Sequence, residues 1–168
     1  MASSLTFSRG AGMVGMLVAA LLLAACAKTP GGGVSGPGVG VGPGAATPGS
    51  SQDFIVNVGD RVFFETDSTD LTAQARATLD RQAQWLNQYA GTSFTVEGHA
   101  DERGTREYNI ALGARRATAV QDYLASRGVA ATRMHTISYG KERPVAVCDD
   151  ISCWSQNRRA VTVINGGG

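Results

Sequence analysis

Three polar side chains in the middle of the chain have the types and spacing to hold a charged group. Asp101 lies in the turn Ala100–Gly104, and Asn109 and Arg116 follow on what reads as one helix. At about 100° per residue, positions seven apart project almost in line. Tyr108, Ile110, Leu112, Ala117, Val120, Tyr123 and Leu124 form a broad apolar face of that helix, with Asn109 and Arg116 along its middle. An arginine there is costly unless something anionic meets it. A carboxylate, an amide and a guanidinium can therefore converge on one mouth. The alternative is a structural bridge between Asp101 and Arg116, with Asn109 bonded into the turn.

Catalytic chemistry has less to work with. His99, Asp101 and His135, with Glu97 or Glu102 as general base, sketch a zinc hydrolase. The chain holds 2 histidines, however, and no His-Glu-x-x-His or equivalent third ligand. No serine or cysteine sits beside a plausible base, and Ser152 and Cys153 read as loop residues. His99 reads as a hydrogen-bonding residue at a strand end. The glycines cluster in the N-terminal third and in the terminal Gly-Gly-Gly, so no phosphate cradle is expected. Neither a cofactor nor a metal is expected. A formal charge of +1 offers no basic field of the kind that nucleic-acid binders show.

The elements that must position Asp101, Asn109 and Arg116 follow from periodicity. Phe94 and Val96 alternate with Thr95, Glu97 and His99, the period-2 pattern of a strand with one face buried. A helix begins with a hydroxyl cap at Thr105, runs to about Arg127 and is closed by Gly128. Upstream, Val58 to Glu65 reads as a first strand. Thr72 to Tyr89, with Ala75, Leu79, Ala83, Leu86 and Tyr89 at helical spacing, reads as a first helix ended by Gly91. Arg133 to Tyr139 and Asn157 to Ile164 are the third and fourth strands. The order βαβαβ then β, with connections long enough for crossovers, predicts a two-layer α/β sandwich: helices on one face of a small mixed sheet. The other face, with Thr95 and Glu97, can stay wet.

The run Gly98-His-Ala-Asp-Glu-Arg-Gly-Thr105, followed by Glu107-Tyr-Asn-Ile-Ala-Leu-Gly-Ala-Arg-Arg-Ala117, resembles the OmpA-like peptidoglycan-binding domain, and more narrowly the peptidoglycan-associated lipoproteins. The family pattern, an Asp in the strand–helix loop and then N-x-x-L-x-x-x-R-A, falls on Asp101, Asn109, Leu112, Arg116 and Ala117. The similarity spans Arg61 to Ile164, and Arg106 stands where close relatives are expected to have proline. The resemblance implies an OmpA-like fold and a ligand, the diaminopimelate residue of the peptidoglycan stem peptide. Arg116 would take its carboxylate and Asp101 its ammonium. Asn109 and the backbone amides around Gly104 and Thr105 would add hydrogen bonds, with Leu112, Phe64 and Asp67 contributing further contacts. It also implies a protein partner, the TolB propeller and other components of the Tol-Pal system, and through them support of envelope integrity and cell division.

The N-terminal third reads differently. Residues 1–25 carry Arg9 and an apolar run from Met13 to Leu23, about the length of a signal-peptide core and short for a bilayer span. Leu23-Ala24-Ala25-Cys26 looks like the lipobox of bacterial lipoprotein precursors, which places acylation on Cys26; the alternative is an ordinary signal peptide with a chance cysteine. Two or three acyl chains anchor firmly where one is marginal. Ala27 and Lys28 follow without an inner-membrane retention aspartate, which by resemblance favours the outer membrane with the domain facing the periplasm. Residues 26–52 supply the lipidated cysteine and a Gly/Pro-rich tether of about 26 residues, with an r.m.s. span near 28 Å and a taut limit near 90 Å. The folded domain is placed at 53–168. With Cys26 acylated, Cys148 and Cys153 remain as a pair in a disulfide-permissive compartment. A bridge would close a small ring, be worth about 2 kcal/mol and pin the loop before the last strand. Two free thiols are the alternative; zinc is disfavoured by the spacing and the lack of a second pair.

Overall fold

The structure, a computed structural model, describes residues 46–166. The expectations for the signal segment, Cys26 and most of the tether therefore lie outside the described residues. Among those described, no helix is long and apolar enough to cross a membrane.

Folding begins a little before Asp53. A short helix α1 (Ser51–Asp53), capped by the Ser50 side chain, runs on into a π-turn at Phe54–Val58. Phe54 is fully buried, edge-on to Trp85 with ring centroids 4.9 Å apart, and Trp85 Nε1 donates to Asp53 at 2.8 Å. An apolar anchor and a charge-assisted bond thus fasten this segment to the next helix. Val58 consequently belongs to the π-turn, and β1 is only Arg61–Phe63. α2 (Ala73–Gln88) starts at the Thr72 cap, β2 is Ser93–His99, and α3 (Arg106–Ser126) starts at the Thr105 cap and ends before Gly128, whose φ of 88° lets the chain turn out. β3 is Met134–Gly140 and β4 is Arg159–Asn165. Between them lies α4 (Ile151–Asn157), capped by Asp150, in a stretch the sequence reading leaves as loop.

The sheet order is β1-β4-β2-β3, antiparallel at β1–β4 and β4–β2 and parallel at β2–β3. The mixed two-layer sandwich expected from element order is the observed fold. β4 inserts between β1 and β2, a placement that element order alone does not dictate. Phe94, Val96, Leu79, Leu86, Ala117, Val120 and Leu124 fill the layer between sheet and helices. Tyr108 is not part of that face: it is 44% exposed in the first turn of α3, with its hydroxyl on Asp67.

α3 crosses β2 at Gly98 and Gly113. A Cβ on Gly98 would overlap the Gly113 carbonyl, and one on Gly113 would crowd the Gly98 carbonyl and Ser138 Oγ. Neither backbone can yield without moving the helix that carries Asn109 and Arg116. Gly98→Ala is expected to cost about 3 kcal/mol in a urea unfolding titration; wild-type stability would show that α3 can lift at no cost.

His99, expected as a hydrogen-bonding residue, is instead 2% exposed at an irregularity in the β2–β3 register, and neither ring nitrogen finds a hydrogen-bond partner among the described residues. Its ring lies against Tyr139 at 5.6 Å, with Glu97 3.6 Å from Nε2. Burial, with the Arg159 and Arg143 guanidiniums nearby, lowers its pKa to about 4. Between pH 6.5 and 4 the unfolded chain takes up a proton that the folded one refuses. Stability should therefore fall as pH drops through that window, by up to about 3 kcal/mol. Denaturant titrations at pH 7 and pH 4.5 check this, and His99→Phe should flatten the dependence.

Candidate functional site

The loop between β2 and α3 and the first two turns of α3 form one wall of a cavity of about 300 Å³, lined by Thr66, Asp67, Asp101, Arg103, Gly104, Tyr108, Asn109, Leu112 and Arg116. Asp67, Asp101, Arg103 and Arg116 put two carboxylates and two guanidiniums on its lining. Asn109, 2% exposed, donates both amide protons to carbonyls, Arg103 O at 2.7 Å and Thr105 O at 3.1 Å, so its own oxygen is left to accept. Gly104, at φ 83°, turns the chain into the helix, and Lys141 Nζ braces the turn through the carbonyls of Glu102 and Gly104.

Asp101 and Arg116 do not pair with each other. Arg116 is wholly buried and donates to three main-chain carbonyls: Nε to Ser68 at 2.9 Å, Nη1 to His99 at 2.8 Å and Nη2 to Glu65 at 3.2 Å. Its guanidinium lies over the Phe64 ring at 5.1 Å. Desolvation, aided by Arg158, lowers its pKa to about 10 against the pull of Asp101 and Asp67, so it stays charged at neutral pH. Three of its five N–H groups are committed and two remain. Asp101 accepts from Arg103 (Nη2 at 2.7 Å, Nε at 3.2 Å, backbone N at 3.2 Å) and, more distantly, from Arg158 Nη1 at 3.4 Å. Burial acts to raise its pKa, but the Arg103 and Arg158 bonds outweigh that and hold the carboxyl below its usual range.

Of the expected residues, Asp101, Asn109, Arg116, Gly104, Leu112 and Asp67 share the cavity. Thr105 and Phe64 do not line it. Thr105 spends its hydroxyl on the Tyr108 N–H as the helix cap, and Phe64 lies behind Arg116. Thr66, Arg103 and Tyr108 are wall residues missed in the sequence; Tyr108 reads as core by period, yet its hydroxyl bonds Asp67. A larger hollow of about 650 Å³ beside β1, α2 and α4 includes Phe64 and Arg158 but none of the Asp101–Asn109–Arg116 set. Cys148 and Cys153 form a disulfide, Cα atoms 5.7 Å apart, which closes the first turn of α4.

A family model described as OmpA family matches residues 63–158, and a peptidoglycan-associated lipoprotein of Rhizobium meliloti (strain 1021) is 69% identical over 90% of this chain and 86% of its own length. The chain belongs to the OmpA family, within the group of peptidoglycan-associated lipoproteins. A more distant lipoprotein of that name, from Pseudomonas aeruginosa, is 44% identical over 88% of this chain and 94% of its own. The crystal structure of the peptidoglycan-associated lipoprotein from Burkholderia pseudomallei superposes with a TM-score of 0.62 at 42% identity, covering 63% of this chain and 90% of that one. The C-terminal domain of Helicobacter pylori MotB gives a TM-score of 0.60 at 23% identity, over 64% of this chain and 85% of that one; that likeness shows the fold alone. The OmpA-family match covers the whole of the cavity wall described above.

Proposed function

We propose that this OmpA-family domain holds peptidoglycan without covalent chemistry, through the diaminopimelate residue of the stem peptide. The observation that carries this is a cavity of about 300 Å³ whose lining brings together the Asp101 and Asp67 carboxylates and the Arg116 guanidinium, charges of both signs as a zwitterion requires. Arg116 takes the ligand carboxylate with its remaining N–H groups, Asp101 the ammonium, and the Asn109 oxygen and the N–H groups near Gly104 orient the rest. The role is binding, with no catalytic residue. Residues 1–25 act as a lipoprotein signal, Cys26 carries the lipid, and the tether to residue 52 lets the domain at 53–168 reach the wall from the outer membrane on its periplasmic side. TolB and the Tol-Pal system are its protein partners in envelope integrity and cell division. Many tethered copies facing a polymer need only modest affinity each.

The test is co-sedimentation of the detergent-solubilised full chain with purified sacculi. Binding should be competed by free meso-diaminopimelate and unaffected by an equal concentration of lysine. Failure of diaminopimelate to compete would place the ligand elsewhere. In cells, Cys26→Ser should abolish palmitate labelling and release the protein from the detergent-extracted membrane fraction.

A further inference from the structure

We propose that Trp154 on α4 is a positioning residue for this site: its indole holds the Arg103 guanidinium on the outer edge of Asp101, and the Cys148–Cys153 disulfide secures the helix that carries it. The inference rests on reading the cavity as the ligand site. Asp101 sits in a loop, with Arg158 Nη1 at 3.4 Å and Arg103 on both of its oxygens. The Arg103 side chain is 42% exposed. The Trp154 ring gives it a second contact, with the guanidinium carbon 4.3 Å from the ring centroid. Trp154 Nε1 in turn donates to Glu102 Oε1 at 2.8 Å, so the indole grips two successive residues of the loop.

The effect on the cavity is one of orientation. An unstacked Arg103 would spend less time on the Asp101 carboxylate, which would then turn more freely in its loop and lose its aim into the cavity. Stacked on Trp154, Arg103 keeps both Asp101 oxygens engaged and the carboxylate fixed in the cavity wall. α4 has only seven residues, too few to persist as an isolated helix. The disulfide joins Cys148, ahead of the Asp150 cap, to Cys153, the residue before Trp154. The bridge pins the segment before the last strand, as the sequence leads one to expect, and through Trp154 that segment reaches the binding site.

Two readouts on the full chain in detergent micelles separate positioning from simple stability: the Asp101 carboxyl titration by ¹³C NMR, and affinity for a soluble muropeptide containing meso-diaminopimelate. Trp154→Ala should raise the Asp101 pKa toward that of a free aspartate and weaken binding about tenfold, the scale of a partly desolvated cation–π contact. Trp154→Phe keeps a ring face and should hold both values near wild type. The Cys148→Ser/Cys153→Ser variant should move both in the same direction as Trp154→Ala. An unchanged Asp101 titration in Trp154→Ala overturns the inference, even if affinity falls with the melting temperature. Should Trp154→Ala not fold, the double serine variant decides by the same criterion. If the wild-type chain binds no muropeptide, the ligand reading fails, while the Asp101 titration still decides the role of Trp154.

Discussion

Arg116→Ala is expected to lower stability by about 3–5 kcal/mol and to abolish sacculus binding. The side chain is wholly buried, and it donates to the carbonyls of Glu65, Ser68 and His99. Removing it takes a donor from three main-chain acceptors in two separate segments, of which Glu65 keeps the Ser68 N–H at 3.2 Å, and opens a cavity over Phe64. In thermal unfolding this should lower Tm by more than about 10 °C. Arg116→Lys separates the roles. A lysine ammonium can meet some of the carbonyls but has no planar fork, so part of the stability should return while ligand binding does not. A Tm for Arg116→Ala within 2–3 °C of wild type, a shift of roughly half a kcal/mol, would show that water replaces the guanidinium and that the carbonyl network is not what holds the loops. An Asp101→Ala substitution should not rescue Arg116→Ala, because the two groups are not each other's partners.

Asp101→Asn should reduce sacculus binding at least tenfold with a much smaller change in stability. The amide keeps the carboxylate's shape and one oxygen to accept from Arg103 and Arg158, so the buried Arg158 guanidinium is not left bare. What it loses is the charge that would face an ammonium. The pH dependence gives a second handle. The folded pKa of Asp101 is depressed, so the carboxylate and the stability it contributes are present above the unfolded value near 3.8 and are lost only as pH falls through the lower folded value. Binding by the wild type should therefore persist at pH 5. Co-sedimentation at pH 7 and 5, with chemical unfolding of both proteins, checks this; full binding by Asp101→Asn would remove Asp101 from the ammonium site.

The strand, turn and helix around the site were legible because local rules specify them. Thr105 caps, Gly128 ends the helix, and Phe94 and Val96 alternate with polar neighbours, each a relation spanning a few residues. Asn109 and Arg116 stood out because a seven-residue spacing holds wherever the helix is placed. Tyr108 in the first turn of α3 departs from the apolar face, because helical period says which residues share a face but not what packs against each turn of it. His99 was misread for the same reason. It alternates with Val96 and Gly98 onto the face of β2 that carries Thr95 and Glu97, and its burial there draws on Tyr139 of the neighbouring strand.

The sequence by itself determined the order of the four strands and the two long helices, the Thr105 cap, and the presence of an acid, an amide and an arginine around one turn. Tertiary structure decided how those groups are used. Local pattern places Arg116 on a buried helix face, but its carbonyl partners arrive from the β1–α2 loop, 48 and 51 residues away, and from the end of β2. Arg103 reaches Asp101 through two residues of chain, whereas the indole that steadies it comes from a helix 51 residues later in sequence, seven residues long and without a strong periodic signal. The insertion of β4 between β1 and β2 places that helix against the site, because side-chain alternation reports which face of a strand is buried and carries no information about which strand lies beside it.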